Sequence, residues 1–139
     1  MKESQVPLVR IDVNQGRTPQ RLRALSQAIH GAIVGVCGIP ERDYFHVLTE
    51  HPAGQIVAQD AGLGFERTPD VVMIQILTQA GRSQEAKRSL FAAIAERLAA
   101  AGVAGEDVFI GYVENTAGDW SFGYGRAQYV TGELGVPGK

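Results

Sequence analysis

Two stretches of the chain carry the same order of apolar and polar positions, and each predicts a strand, a helix and a second strand. Pro7 to Val13 (PLVRIDV) and Val71 to Thr78 (VVMIQILT) are β-branched, largely apolar runs that read as strands. A Gly-Arg-Thr/Ser triplet follows each, Gly16-Arg17-Thr18 and Gly81-Arg82-Ser83. Glycine permits the turn, and the hydroxyl residue is placed to cap a helix. Pro19 suits the first position of that helix. Leu22, Leu25, Ile29, Ile33 and Val36 then recur every three or four residues, as do Leu90, Ala93, Ile94, Leu98 and Ala101 in the second stretch. Each helix therefore has one apolar stripe. Short polar turns, Pro40 to Asp43 (PERD) and Gly105 to Asp107 (GED), lead into further strands at Tyr44 to Thr49 and Val108 to Glu114.

The two stretches are an internal repeat. At one gapless offset of 65 residues eight identities coincide, among them Ile11 with Ile76, Gly16 with Gly81, Arg17 with Arg82 and Ile29 with Ile94. Parallel strands need a crossover helix, and such crossovers are right-handed. The expected fold is α/β (α+β): duplicated β-α-β units forming a four-stranded mixed sheet with two helices on one face. The other face of such a sheet is uncovered, yet Val71, Val72, Met73 and Ile74 make the strand apolar on both faces. That face must bury against something, which predicts self-association. Residues 51–70, rich in Gly and Pro, read as a loop with a minor strand over Gln55 to Ala58, and the tail 116–139 has aromatics among glycines without a clear period. Gln79 reads as a solvated strand end.

Composition narrows the function classes. The 139 residues suit one domain, with residues 1–6 as an N-terminal extension and 7–139 as the folded unit. Thirteen basic against fifteen acidic residues give a charge of −2, so nothing attracts nucleic acid or anionic lipid strongly. No apolar run approaches a bilayer span, and the opening MKESQV lacks the apolar core of a secretion signal. A single cysteine, Cys37, rules out an intrachain disulfide and reads as packed. A cytoplasmic protein with no nucleic-acid or membrane partner is expected. His30, His46 and His51 have no i, i+4 pairing, so no metal is expected, and the Gly62-Leu63-Gly64 segment lacks the strand and helix of a dinucleotide loop. No cofactor is expected.

A strand opening on proline, the equal β-α-β repeat, Pro40-Glu41-Arg42-Asp43 before the second strand and Trp120-Ser121-Phe122-Gly123 near the end together resemble the tautomerase superfamily. Within it the chain is most similar to the malonate semialdehyde decarboxylase-like branch. The resemblance implies a homotrimer with sites near subunit contacts, a small oxo acid as substrate and an amino-terminal proline as the catalytic group. It maps that proline onto Pro7, its acidic partner onto Asp43 and the apolar wall of the site onto Trp120 and Phe122. Some decarboxylases of the family carry two arginines at the end of the central strand. Here Gln79 and Gly81 hold those positions and Arg82 follows, which fits the branch with one arginine after the glycine. Pro7, Asp43 and Arg82 are the expected catalytic residues, with Gln79, Trp120 and Phe122 touching substrate.

The chemistry asks for such groups. Proton transfer at neutral pH needs a base titrating nearby, and an α-amino group, at about 7.7 to 8.0 when unperturbed, is one of few candidates. Protonated, it polarises a carbonyl oxygen and lets carbon dioxide leave a β-keto acid; unprotonated, it removes a proton beside a carbonyl. Arg82 suits a substrate carboxylate, and two aromatic rings would strip that carboxylate of water. Plainer readings exist for each residue: Asp43 ends a turn, Arg82 repeats the structural role of Arg17, and Trp120 and Phe122 fill a core or interface. The decisive question is the amino terminus. Six residues precede Pro7, and the nitrogen of an internal proline is an amide that cannot act as a base. Val6 is encodable by GTG, a bacterial initiator, and initiation there followed by methionine removal would leave Pro7 first. Start at that codon is the reading adopted, with an enzyme that is a decarboxylase, or a keto-enol tautomerase or hydratase using the same proline. A non-catalytic trimer of the same fold is the expectation if the leader is retained.

Overall fold

The structure, a computed structural model, describes residues 2–3 and 6–135. In chain order its elements are β1 (Lys2–Glu3), β2 (Pro7–Asn14), α1 (Pro19–Cys37), β3 (Phe45–His51), β4 (Val72–Gln79), α2 (Gln84–Ala100), β5 (Val108–Asn115), α3 (Gln128–Thr131) and β6 (Leu134–Gly135), with single 3₁₀ turns at Gly105–Asp107 and Ala117–Asp119. The main sheet has the order β3-β2-β4-β5. Its outer pairs are parallel and its central pair is antiparallel. This is the expected mixed sheet. The repeat is visible in the register: Arg10 lies opposite its own repeat mate Gln75, so a pseudo-twofold axis passes between them.

Both helices start where the triplets place them. Thr18 caps α1 by accepting from Arg21 N–H, and Ser83 caps α2 by accepting from Ala86 N–H. Gly16 and Gly81 take the same positive φ, +133° and +134°, a conformation that a side chain strains. Val9, Ile11 and Val13 of β2 and Val72, Ile74 and Ile76 of β4 turn one apolar row toward the helices, where Leu25, Ile29, Ile33, Leu90, Ile94 and Leu98 complete the core. The alternate residues form the open face. Phe45, Val47, Phe109 and Val113 stand exposed on it, the last two at 47% and 49%. Arg10, Gln75, Thr49 and the hydrogen-bonded pair Asp12 and His51 are polar residues of the same face. The exposed apolar side chains on this face are the unfinished surface that the sequence predicts.

Two expectations need correction. No strand forms over Gln55 to Ala58. No strand of the sheet pairs with that segment, and side chains organise the loop instead. The Asp60 carboxylate accepts from Gly62 and Gly64 N–H, which holds its pKa below the usual value, and buried Asp107 accepts from both Thr68 N–H and its hydroxyl. The tail also has more order than its composition suggests. Asp119 and Thr116 form a capping box, and β6 pairs in parallel with β1. Met1, Ser4 and Gln5 of the expected extension and residues 136–139 of the tail lie outside the described residues. Among the described residues no helix is long and apolar enough to cross a membrane.

Candidate active site

The topology brings four chain segments to one end of the sheet. β2 begins there with Pro7, directly opposite Thr78 near the end of antiparallel β4. β5 runs parallel to β4, so Asn115 lies opposite Gln79 at the same end. β3 enters beside Leu8 with Phe45, and the PERD turn carrying Asp43 lies two residues before that pair. The tail then folds back over this end.

Pro7 is buried and its nitrogen is acylated by Val6, itself only 2% exposed. Both backbone polar groups of Val6 are held. Its N–H donates to the Tyr129 hydroxyl at 3.3 Å, and its carbonyl accepts from the Thr78 hydroxyl at 2.6 Å. Arg82 stands behind Thr78. One guanidinium nitrogen donates to Thr78 Oγ1 at 3.2 Å and to the Tyr112 hydroxyl at 3.1 Å. Tyr112 is fixed in turn by the Phe91 ring and by Lys87, whose ammonium lies 5.1 Å from the ring centre and pairs with Glu114. Cys37, at the end of α1, also neighbours Arg82. Burial pushes its thiol pKa up, and the guanidinium works in the opposite direction.

Of the residues expected from sequence, Pro7 and Arg82 are joined through Thr78 and the Val6 carbonyl. Asp43 is half-buried, its N–H closing the turn onto the Pro40 carbonyl at 3.0 Å. Phe122 forms an aromatic wall with Phe45 and Tyr129, ring centres 5.7 and 5.5 Å away, and its N–H is anchored by Gln128. Trp120 docks by donating from Nε1 to Asn115 Oδ1 at 2.7 Å. Gln79 is not solvated: it is 7% exposed, and its Nε2 has no hydrogen-bond partner among the described residues. The tail docks beside it, Trp120 donating to Asn115, the strand neighbour of Gln79.

Sequence reading missed Thr78, Tyr112 and Tyr129. Thr78 had a signal, as the first polar side chain in the otherwise apolar inward row Val72, Ile74, Ile76. Tyr129 had none, since nothing in the tail's composition says which aromatic returns to the head of β2.

Comparison with known proteins gives this arrangement its class. Two family profiles, both described as tautomerase enzyme, match residues 43–123 and 7–66. The chain belongs to the tautomerase family. A probable tautomerase of Bacillus subtilis strain 168, YrdN, is 37% identical over 130 residues, covering 93% of this chain and 100% of that protein. Its fold is most informatively set beside malonate semialdehyde decarboxylases. The FG41 enzyme inhibited by 3-bromopropiolate matches with TM-score 0.91 and 55% identity, over 94% of this chain and 99% of that one. A second malonate semialdehyde decarboxylase, described with decarboxylase and hydratase activities, matches with TM-score 0.87 and 36% identity over 91% and 98%. The chain is thus a tautomerase-superfamily enzyme of the malonate semialdehyde decarboxylase-like branch.

Proposed function

We propose that the protein is a decarboxylase of a short β-oxo acid, malonate semialdehyde being the substrate of its similar neighbours, and that the working group is the amine of Pro7 at the head of the mature chain. The observation that carries this reading is the position of Pro7: buried at the sheet end, opposite Thr78, with Arg82 one hydrogen bond further on. As a secondary ammonium, Pro7 would polarise the aldehyde oxygen while the carboxylate leaves as carbon dioxide. The electron pair of the breaking carbon–carbon bond then becomes the enol, which takes up a proton at carbon to give the aldehyde. Arg82 suits the substrate carboxylate. Asp43 favours the cationic form of the amine, and Gln79 supplies a buried amide donor that lacks a partner among the described residues. Phe122 and Trp120 exclude water, which weakens solvation of the leaving carboxylate.

Assembly follows from the open sheet face. A homotrimer burying Phe45, Val47, Phe109 and Val113 is supported by that surface and by a neighbour described as a symmetric trimer, fused 4-OT, with TM-score 0.74 and 25% identity. We place the protein in the cytoplasm, acting on a small molecule without a cofactor. A hydratase reading is favoured by the described activities of one neighbour, and a keto-enol tautomerase would use the same amine. The test is a chain verified by intact mass to begin at Pro7, assayed for carbon dioxide release from malonate semialdehyde, for water addition to unsaturated acids and for enol-to-keto conversion. Release of carbon dioxide is expected to dominate. Absence of all three turnovers would leave a non-catalytic trimer.

A further inference from the structure

The Val6–Pro7 amide places an oxygen one atom removed from the proline nitrogen, and the protein binds that oxygen with a purpose-shaped donor. Thr78 is 1% exposed, and its hydroxyl makes its two contacts in series: Oγ1 accepts from Arg82 and donates to the Val6 carbonyl. Thr78 is the register partner of Pro7 itself, so the hydroxyl stays at the head of β2 whatever precedes the proline. With Val6 absent, the Thr78 O–H loses this acceptor, and a water or a substrate oxygen entering the vacated space takes up the hydrogen bond. The neighbouring Arg82 charge strengthens that donor, because a hydroxyl accepting from a cation is polarised.

We infer that Thr78 is an oxygen-binding residue of the active site: it donates its hydroxyl hydrogen to the substrate oxygen that takes the place of the Val6 carbonyl, with Arg82 aligning the hydroxyl from behind. The inference rests on the reading that Pro7 is the working amine, since only a chain beginning there vacates the position. It also gives Arg82 a second task beside any direct contact with a carboxylate. The Val6 acyl group is in this sense a built-in likeness of bound substrate, and the Tyr129 hydroxyl, which accepts from Val6 N–H, marks the far wall of the same space.

The test uses chains that begin at Pro7, wild type, Thr78→Val and Thr78→Ser. Valine keeps the shape and removes the hydroxyl; serine keeps the hydroxyl. Binding of pyruvate, an oxo acid without the β-carboxylate, is read from the fluorescence of Trp120, the only tryptophan. Thr78→Val is expected to bind about tenfold more weakly and to lose roughly 100-fold in kcat on malonate semialdehyde, with Thr78→Ser within about threefold of wild type in both. Melting temperature and sedimentation verify that the variants fold and assemble alike. Equal pyruvate binding by wild type and Thr78→Val, or no binding by either, overturns the role of Thr78. Modification of Pro7 by 3-bromopropiolate, read by peptide mass, tests the amine separately: an unlabelled Pro7 in a chain whose pyruvate binding still depends on Thr78 overturns the amine and leaves the oxygen site standing.

Discussion

A chain that begins at Pro7 is expected to decarboxylate malonate semialdehyde about 10² to 10⁴ times faster than one that retains Val6, the range associated with loss of a positioned acid–base group. Two effects of Val6 act together and differ in kind. Docking is the weaker. Burying the valine side chain contributes about 1.5–3 kcal/mol, and its two hydrogen bonds, to Tyr129 and from Thr78, about 0.5–1.5 kcal/mol each. Ordering its backbone costs roughly 1–2 kcal/mol. The ranges leave a surplus of about 0.5–5 kcal/mol, and their midpoint, about 3 kcal/mol, keeps the acyl group in the site well over nine-tenths of the time. Acylation is the stronger effect, because amide resonance removes the lone pair whether or not the leader is docked. Val6→Gly in the long chain separates the two: the site opens more often, but turnover stays low. The assay is kcat/KM from carbon dioxide release on chains whose first residue is verified by intact mass. Rates agreeing within about threefold between long and short chains would refute the amine mechanism, and recovery of activity by Val6→Gly would show that occlusion alone silences the long chain.

Further outcomes follow from the same structure. His46, half-buried beside Ser26, Tyr44 and His30, has its pKa lowered to about 4, chiefly by burial and then by His30. The unfolded chain thus binds its proton first, so stability falls as pH drops from about 6.5 toward 4, by at most about 3 kcal/mol before solvent screening. Thermal melts of His46→Gln should show a flatter profile in that window, and an unchanged slope would exclude this residue as the cause. Thr18→Ala and Ser83→Ala each remove a helix cap and should cost about 1 kcal/mol in denaturant titration, with the double variant additive; strong non-additivity would mean the caps are coupled. Val113→Lys puts a charge on the open sheet face and should lower the sedimentation mass toward the monomer, whereas an unchanged trimer would move the interface elsewhere.

How much of this was legible in the chain depends on the range of the forces involved. The strands and helices were readable because Ile11, Ile76, Leu25 and Leu90 recur with the period of their own element, and the caps because Thr18 and Ser83 act on a neighbour three residues away. The minor strand at Gln55 to Ala58 failed for the opposite reason. A strand needs a pairing edge, which local composition does not report, while Asp60 and Asp107 fix that loop by hydrogen bonds that composition does not advertise. Gln79 looked solvated because it closes its strand, and the burial of that strand end is a tertiary matter: the tail docks beside it by contacts such as Trp120 with Asn115 and Phe122 with Phe45. Pro7, Asp43 and Arg82 were named through family likeness. The link between Pro7 and Arg82 was not visible, because it passes through Thr78, a residue 71 positions from Pro7.

The repeat explains why an arginine stands there at all. By the pseudo-twofold relation, the Pro7–Thr78 pair corresponds to the pair Val72–Val13, and Arg82 to Arg17. Arg17 grips the carbonyl of Asp70, two residues before Val72, at 2.6 Å, with burial lowering its pKa and Asp70 opposing that. Arg82 grips the carbonyl just before Pro7, but through the Thr78 hydroxyl. Both arginines therefore hold the chain as it enters a central strand, a structural task that duplication supplies twice. What differs is the residue between. In the second site Val13 offers no hydroxyl, and the chain runs on into β4 without a proline. At the first site, a threonine and a proline convert the same clamp into a donor aimed at whatever is bound to, or lies against, the proline nitrogen. The structural role of Arg82 and the functional one proposed for it would then use one geometry, and the substitution that tells them apart lies at Thr78 rather than at the arginine, whose loss would damage both.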